Sequence, residues 1–204
     1  MASSPTAVER ALARIAEELR SAGQPCALVG GLAVSARAEP RTTRDVDLAV
    51  STPNDEAAEQ LIWRVQRSGY TVRMLLEQEG TGRLATVRLV RESERSVFVD
   101  LLFASSGIEA EIVESAEELE LLEGLNLAVA TRAHLIALKV LARDDRNRPQ
   151  DWDDLRALLS DASQAEVDQA RDALRLIEQR GFNRGRDLSA ALSETVAAFA
   201  HRPK

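Results

Sequence analysis

Four scarcities narrow what this chain can be. It has one cysteine, Cys26, so no disulfide can form within it, and a lone thiol inside an apolar run fits a reducing compartment such as the cytoplasm. Aromatic residues make up only 3% of the chain, too few for a platform on which the bases of a single strand could stack. Positive charge does not prevail: the net charge is −7, which argues against broad, non-specific nucleic-acid binding but leaves room for a local basic patch. No uninterrupted apolar stretch approaches membrane-spanning length, and the N-terminus carries no apolar signal core, so the chain reads as cytoplasmic and free of the membrane. Lysine is scarce too. Of 26 basic residues only Lys139 and Lys204 are lysines, a bias that devalues any single surface arginine as a signal and sets Lys139 apart. The two histidines, His134 and His201, have no third ligand beside them, so zinc or a histidine-based triad lacks support.

At 204 residues and 45% hydrophobic content, the chain can form one medium domain or two small ones around a sizeable core. Apolar residues at helical spacing predict a helix over 6–22, then a strand Cys26–Val29, a short helix Leu32–Ala38 and a strand up to Val50. A helix over 55–68 and strands over Tyr70–Glu77, Arg83–Arg91 and Ser96–Phe103 follow. The seven glutamates in 109–123 read as a solvated face with a few inward anchors and carry no assigned chemistry. Leu125–Ala130 reads as one more short strand, and from Thr131 the pattern is helical. The boundary between a sheet-forming part, 1–130, and a helical part, 131–204, is therefore expected there, with helices over 164–180 and 186–200 serving as packing.

The chemistry concentrates between Cys26 and Val50. A short apolar run ends in Gly30-Gly31, and a later strand carries Asp45-Val46-Asp47. Side chains alternate along a strand, so Asp45 and Asp47 share one face while Val46, Leu48 and Val50 anchor the other. Two like charges so close call for a cation, and hard oxygen ligands suit Mg²⁺ shared with substrate phosphates. A glycine pair lets backbone N–H groups approach a phosphate, and the start of the following helix favours an anion. Taken alone, Gly30-Gly31 is common turn punctuation, and Asp45-Val46-Asp47 could be a solvated edge strand. Together they describe a nucleotide site.

Farther on, Asp100 is a lone carboxylate in the apolar run Val97–Phe103, where it needs a partner, a metal or an edge facing water. Lys139 lies among eight apolar residues in the ten from Ala133 to Ala142, so it is buried, snorkels to a surface, or meets an anion. Asp151 and Asp154 are three apart and share a helix face, where Asp151 could also be a simple N-terminal helix charge.

The stretch from Gly30 resembles the nucleotidyltransferase superfamily that includes DNA polymerase β. Arg41-x-Thr43-x-Asp45-x-Asp47-Leu48 is similar to the first motif of its AbiEii/AbiGii toxin-type branch. Lys139 followed by Asp151, Asp154 and Leu155 resembles that branch's late motif, with Gln150 where the family usually has lysine. The resemblance covers most of the chain, from about Gly30 to Leu155. It implies an α+β fold: a mixed-sheet nucleotidyltransferase core with flanking helices, followed by a C-terminal helical bundle. It also implies an enzyme that moves NMP from an NTP to an acceptor hydroxyl with Mg²⁺ or Mn²⁺. Asp45, Asp47 and Asp100 would hold metal, Gly30, Gly31, Arg41, Thr43 and Lys139 would contact nucleotide, and Asp151 would orient Lys139 or the acceptor. The branch implies a toxin or antiviral-defence role on tRNA or other RNA, with a possible antitoxin partner. The rival readings are transfer to a small molecule, as in antibiotic nucleotidyltransferases, and a nucleotide-binding module that has lost its chemistry.

Overall fold

A computed structural model of the chain describes residues 5–94, 96–144 and 150–200. Helix α1 (Ala7–Ser21) starts at Thr6, whose hydroxyl accepts from the Glu9 N–H while the Glu9 carboxylate accepts from the Thr6 N–H. It buries Ala11, Leu12, Ile15, Ala16 and Leu19 along one stripe. Strand β1 (Cys26–Val29) leads into α2 (Gly30–Arg37), and β2 (Asp45–Val50) follows after a loop. Helical bonding thus begins at the glycine pair itself, two residues earlier than the sequence suggests, with extended Val29 as its cap. Helix α3 (Asp55–Arg67) is capped by the Asn54 side chain, which accepts from the Ala57 N–H.

Strands β3 (Tyr70–Glu77) and β4 (Leu84–Arg91) form a hairpin, a 3₁₀ turn covers Glu92–Glu94, and β5 (Phe98–Leu102) follows. The glutamate-rich stretch keeps the solvated face expected of it at Glu114, Glu117, Glu118, Glu120 and Glu123, while Glu109 departs from it by being buried. The stretch holds a short helix α4 (Glu109–Glu114) and a strand β6 (Glu117–Leu122), which pairs with β7 (Leu125–Val129). β6 closes one edge of the sheet, and its exposed Glu117, Glu118 and Glu120 are the charges by which an edge strand resists pairing with other chains. The helices α5 (Arg132–Ala142), α6 (Gln150–Ser160), α7 (Gln164–Gln179) and α8 (Leu188–Ala200) complete the described fold. Residues 145–149, just before Gln150, lie outside the described residues, as does His201.

The seven strands make one mixed sheet in the order β3-β4-β5-β2-β1-β7-β6. β2 runs parallel to β5 and β1 parallel to β7, while the other neighbours are antiparallel. Leu28, Leu48, Leu89 and Leu101, from four central strands, are fully buried with Ile15, Ile112, Ile136 and Leu155 from the helices. Truncating one such leucine to alanine costs about 2–5 kcal/mol, so the centre of the sheet is held rigidly. That rigidity matters because the polar residues of the site stand on these same strands. α2 packs against β2, α5 and α6, which brings the late helices beside the glycine turn.

Candidate active site

The alternation in β2 does what its residues require. Val46, Leu48 and Val50 are fully buried, whereas Asp45 and Asp47 are partly exposed on the opposite face. Antiparallel pairing sets Val29 opposite Asp47, so the Asp47 carboxylate lies over the first turn of α2. Gly30 has φ 65°, a left-handed conformation, and a Cβ there would overlap the Asp47 carboxylate. At Gly31 a Cβ would come within 2.6 Å of Arg41 Nη2 and 3.0 Å of Thr43 Oγ1. The absent side chains therefore admit Asp47, Arg41 and Thr43 to the turn, which lines the cleft.

The parallel pairing of β2 with β5 puts Asp100 beside Asp47 and Phe98 beside Asp45. Asp100 is buried, at 7% exposure, and an arginine meets it. Arg88 stands opposite Asp100 on β4 and donates from Nε to Oδ1 at 2.8 Å and from Nη2 to Oδ2 at 2.6 Å. Arg88 Nη2 also lies 3.9 Å from Asp45 Oδ2. The bond to Asp100 pushes the Arg88 pKa up, with the charges of Asp100, Asp45 and Asp47 adding to it and burial opposing it. Sequence reading passed over Arg88, although a single cation in the apolar run Leu84–Val90 was the counterpart of the single anion in Val97–Phe103.

The opposite wall comes from α5 and α6. Lys139 Nζ lies 2.8 Å from Asp151 Oδ1 and 2.7 Å from Asp154 Oδ2, and all three residues are buried. Asp154 also accepts two bonds from Arg41, from Nε at 2.6 Å and Nη2 at 2.9 Å. Asp154, which sequence reading quoted without a role, therefore joins the loop before β2 to the lysine. Thr43 lines the same cleft and directs its hydroxyl at the Asp45 carbonyl, 3.5 Å away.

A loop after β5 closes a third side. Glu109 Oε1 accepts from the Ser105 N–H, the Ser106 N–H and the Ser106 hydroxyl at 2.8, 2.6 and 2.9 Å. Burial raises the Glu109 pKa, and these same bonds oppose the rise. Glu109 was one of the glutamates given no chemistry. Arg184, between α7 and α8, has φ 54° and also lines the cleft, so the closing helices contribute a cation as well as packing. The cleft encloses about 910 Å³ and extends past the carboxylates to Met74 and Leu76 of β3.

Hard carboxylate oxygens on adjacent strands, with an arginine already serving as their cation, form a donor set that fits a divalent metal. Among the described residues, no three carboxylate, histidine or cysteine side chains form a ready-made metal cage.

The sequence model of the nucleotidyl transferase AbiEii toxin, a type IV toxin–antitoxin system, matches residues 10–203. The chain belongs to the AbiEii family. It is accordingly an enzyme of the nucleotidyltransferase type, in a family whose chemistry draws on an NTP and a divalent metal. No curated protein matches this AbiEii-family chain. Among solved structures it is similar to an antigenic nucleotidyltransferase-like protein from Paracoccidioides brasiliensis, at 18% identity and TM-score 0.53, covering 95% of this chain and 96% of that one. It is also similar to the lincosamide antibiotic adenylyltransferase LnuA with lincomycin bound, at 13% identity and TM-score 0.49, covering 76% of this chain and 98% of that one. A third similar structure is the antibiotic-resistance factor ANT(2'')-Ia, at 18% identity and TM-score 0.48, covering 93% of this chain and 89% of that one. The first of these supports the α+β fold. No helix among the described residues is long and apolar enough to cross a membrane.

Proposed function

We propose that this protein transfers NMP from an NTP to an acceptor hydroxyl on tRNA or another RNA, with Mg²⁺, as a toxin or antiviral-defence enzyme. The observation that carries this reading is the row of Asp47 and Asp100 on adjacent strands, with Asp45 one turn of the pleat away, above the Gly30–Gly31 turn. Asp45 and Asp47 would hold a divalent metal for the triphosphate, and Asp100 would contribute to a second and help activate the acceptor hydroxyl. When bound, the metal supplies charge neutralisation on the phosphates. Gly30 and Gly31 present backbone donors to the same phosphates.

Lys139 enters the cleft from the facing wall and neutralises charge that builds on the phosphates, exchanging a carboxylate partner for them. Asp151 fixes the ammonium's direction. Arg41, held by both oxygens of Asp154, braces the loop that carries Thr43 to the carboxylate strand. On this reading residues 1–130 form the nucleotidyltransferase core and 131–204 the second wall. The cleft is lined by five cations, Arg41, Arg44, Arg88, Arg184 and Lys139, against four aspartates, Asp45, Asp47, Asp100 and Asp151, a slightly positive balance in a chain of net charge −7 that suits a phosphate-bearing substrate.

The test is to incubate the protein with Mg²⁺ or Mn²⁺, each labelled NTP, and total tRNA. Label should enter RNA, and Asp47→Ala should abolish the transfer while the fold persists. Label found instead on a lincosamide or aminoglycoside would establish a small-molecule acceptor. Binding of NTP without any transfer would establish a module without chemistry.

A further inference from the structure

Arg88 is counted above only as one of the cleft's cations, yet its guanidinium stands against the carboxylate face. Three fixed contacts hold it there. Two donors engage both oxygens of Asp100, Nη2 approaches Asp45 at 3.9 Å, and the guanidinium carbon lies over Phe98, 5.0 Å from the ring centroid. Phe98 is the β5 residue paired with Asp45, so aromatic ring, arginine and carboxylates form one patch of the sheet.

A fork on both Asp100 oxygens takes one lone pair of each and sets a positive charge where a metal bound by Asp100 would have to sit. Arginine cannot withdraw by losing a proton, because its guanidinium stays charged at any working pH. It has to rotate away, and its side chain, 30% exposed, has the cleft to rotate into. A triphosphate arriving in the cleft offers the displaced guanidinium another anion.

We propose that Arg88 is the resident counter-ion of the carboxylate site, holding Asp100 until a nucleotide-bound divalent cation takes its place. Metal alone then loads poorly, metal with nucleotide loads well, and Arg88 sets the threshold between them. Competition for the same oxygens makes this a linkage: whatever Arg88 gains from Asp100, the metal must overcome. The inference rests on the metal-dependent reading of the site.

The experiment measures Mn²⁺ binding from the electron paramagnetic resonance signal of unbound Mn²⁺, with and without a non-hydrolysable NTP analogue. Wild type, Arg88→Gln, Arg88→Lys and Asp47→Ala are compared, with folding followed by circular dichroism. Without nucleotide, Arg88→Gln should bind Mn²⁺ about tenfold more tightly than wild type. Arg88→Lys should fall between them, because one ammonium cannot span both Asp100 oxygens. With the analogue the differences should narrow. Mn²⁺ affinity equal to or weaker than wild type in folded Arg88→Gln overturns the proposal. If that variant does not fold, Arg88→Lys decides alone by the same criterion. Asp47-dependent Mn²⁺ uptake that no Arg88 change alters overturns this inference and leaves the metal site standing. Wild type that takes up no Mn²⁺ even with the analogue, or uptake indifferent to Asp47→Ala, overturns both.

Discussion

At the scale of single residues, the site depends on what Gly30 lacks. Its left-handed backbone and the Asp47 carboxylate lying where a Cβ would project are two separate constraints on one position. Alanine in a left-handed conformation carries a penalty of roughly 1–2 kcal/mol, and here it must also push Asp47 off the turn. Gly30→Ala is therefore expected to lower stability by at least that amount. It should also reduce transfer by roughly two orders of magnitude, the scale set by misplacing a catalytic group by an ångström. Chemical denaturation and initial-rate measurements on the same preparation check both. Near wild-type turnover in Gly30→Ala would show that the exact seat of Asp47 is unimportant. The Gly30-Gly31 and Asp45-Val46-Asp47 pair was legible in the sequence because strand alternation alone fixes the faces. Its packing of carboxylate against glycine was not, since that follows from the antiparallel register of β1 and β2.

At the scale of elements, β6 and the Ser105–Ser106 loop show where local patterns fall silent. In β6 the glutamates fit the solvated face of either a strand or a helix, and only pairing with β7 shows it to be an edge strand. Asp100 reads as an isolated charge in an apolar strand and Arg88 drew no reading at all; the pairing of β4 with β5 makes them one unit. Glu109 was hidden for a related reason, because its partners are backbone N–H groups four and three residues earlier, which no side-chain pattern records. Its behaviour with pH gives a test. The folded state raises the Glu109 pKa above its ordinary 4.5, so between those two values the native state holds more protons than the unfolded one. Its contribution to stability is therefore greatest below pH 4.5 and is lost as pH rises through the folded value. Glu109→Gln keeps an acceptor for both N–H groups and cannot ionise. Relative to wild type, its stability should thus increase as pH rises from 4.5 towards neutrality. A difference between the two proteins that stays flat with pH, measured by urea denaturation at several pH values, would mean that the carboxyl is not penalised by burial.

At the scale of the whole molecule, the sheet and the late helices meet through charge. Lys139 was legible as a residue needing an anion, and Asp151 as a candidate, because a lysine among apolar neighbours has few other outcomes. The second carboxylate was not: Asp154 looked like part of a helix face, but it accepts from Arg41 on one side and from Lys139 on the other. This changes what a substitution at Lys139 should do. Lys139→Met would leave two buried carboxylates short of a cation, and removing one member of a buried pair costs about 3–5 kcal/mol. Arg41 remains on Asp154, so the lower end of that range is expected, together with a loss of transfer of roughly two orders of magnitude under conditions where the variant is folded. Asp154→Asn removes the charge that Arg41 and Lys139 share, so it should destabilise as well, by about 3 kcal/mol. In the double variant Lys139→Met/Asp154→Asn the uncompensated charge at Asp154 is gone. Its total destabilisation should then fall short of the sum of the single effects by roughly 1–3 kcal/mol. A double-mutant cycle in urea measures that shortfall. Additivity within about 0.3 kcal/mol would show that Lys139 and Asp154 are neighbours without energetic coupling, and that the sheet and helices are joined by packing alone.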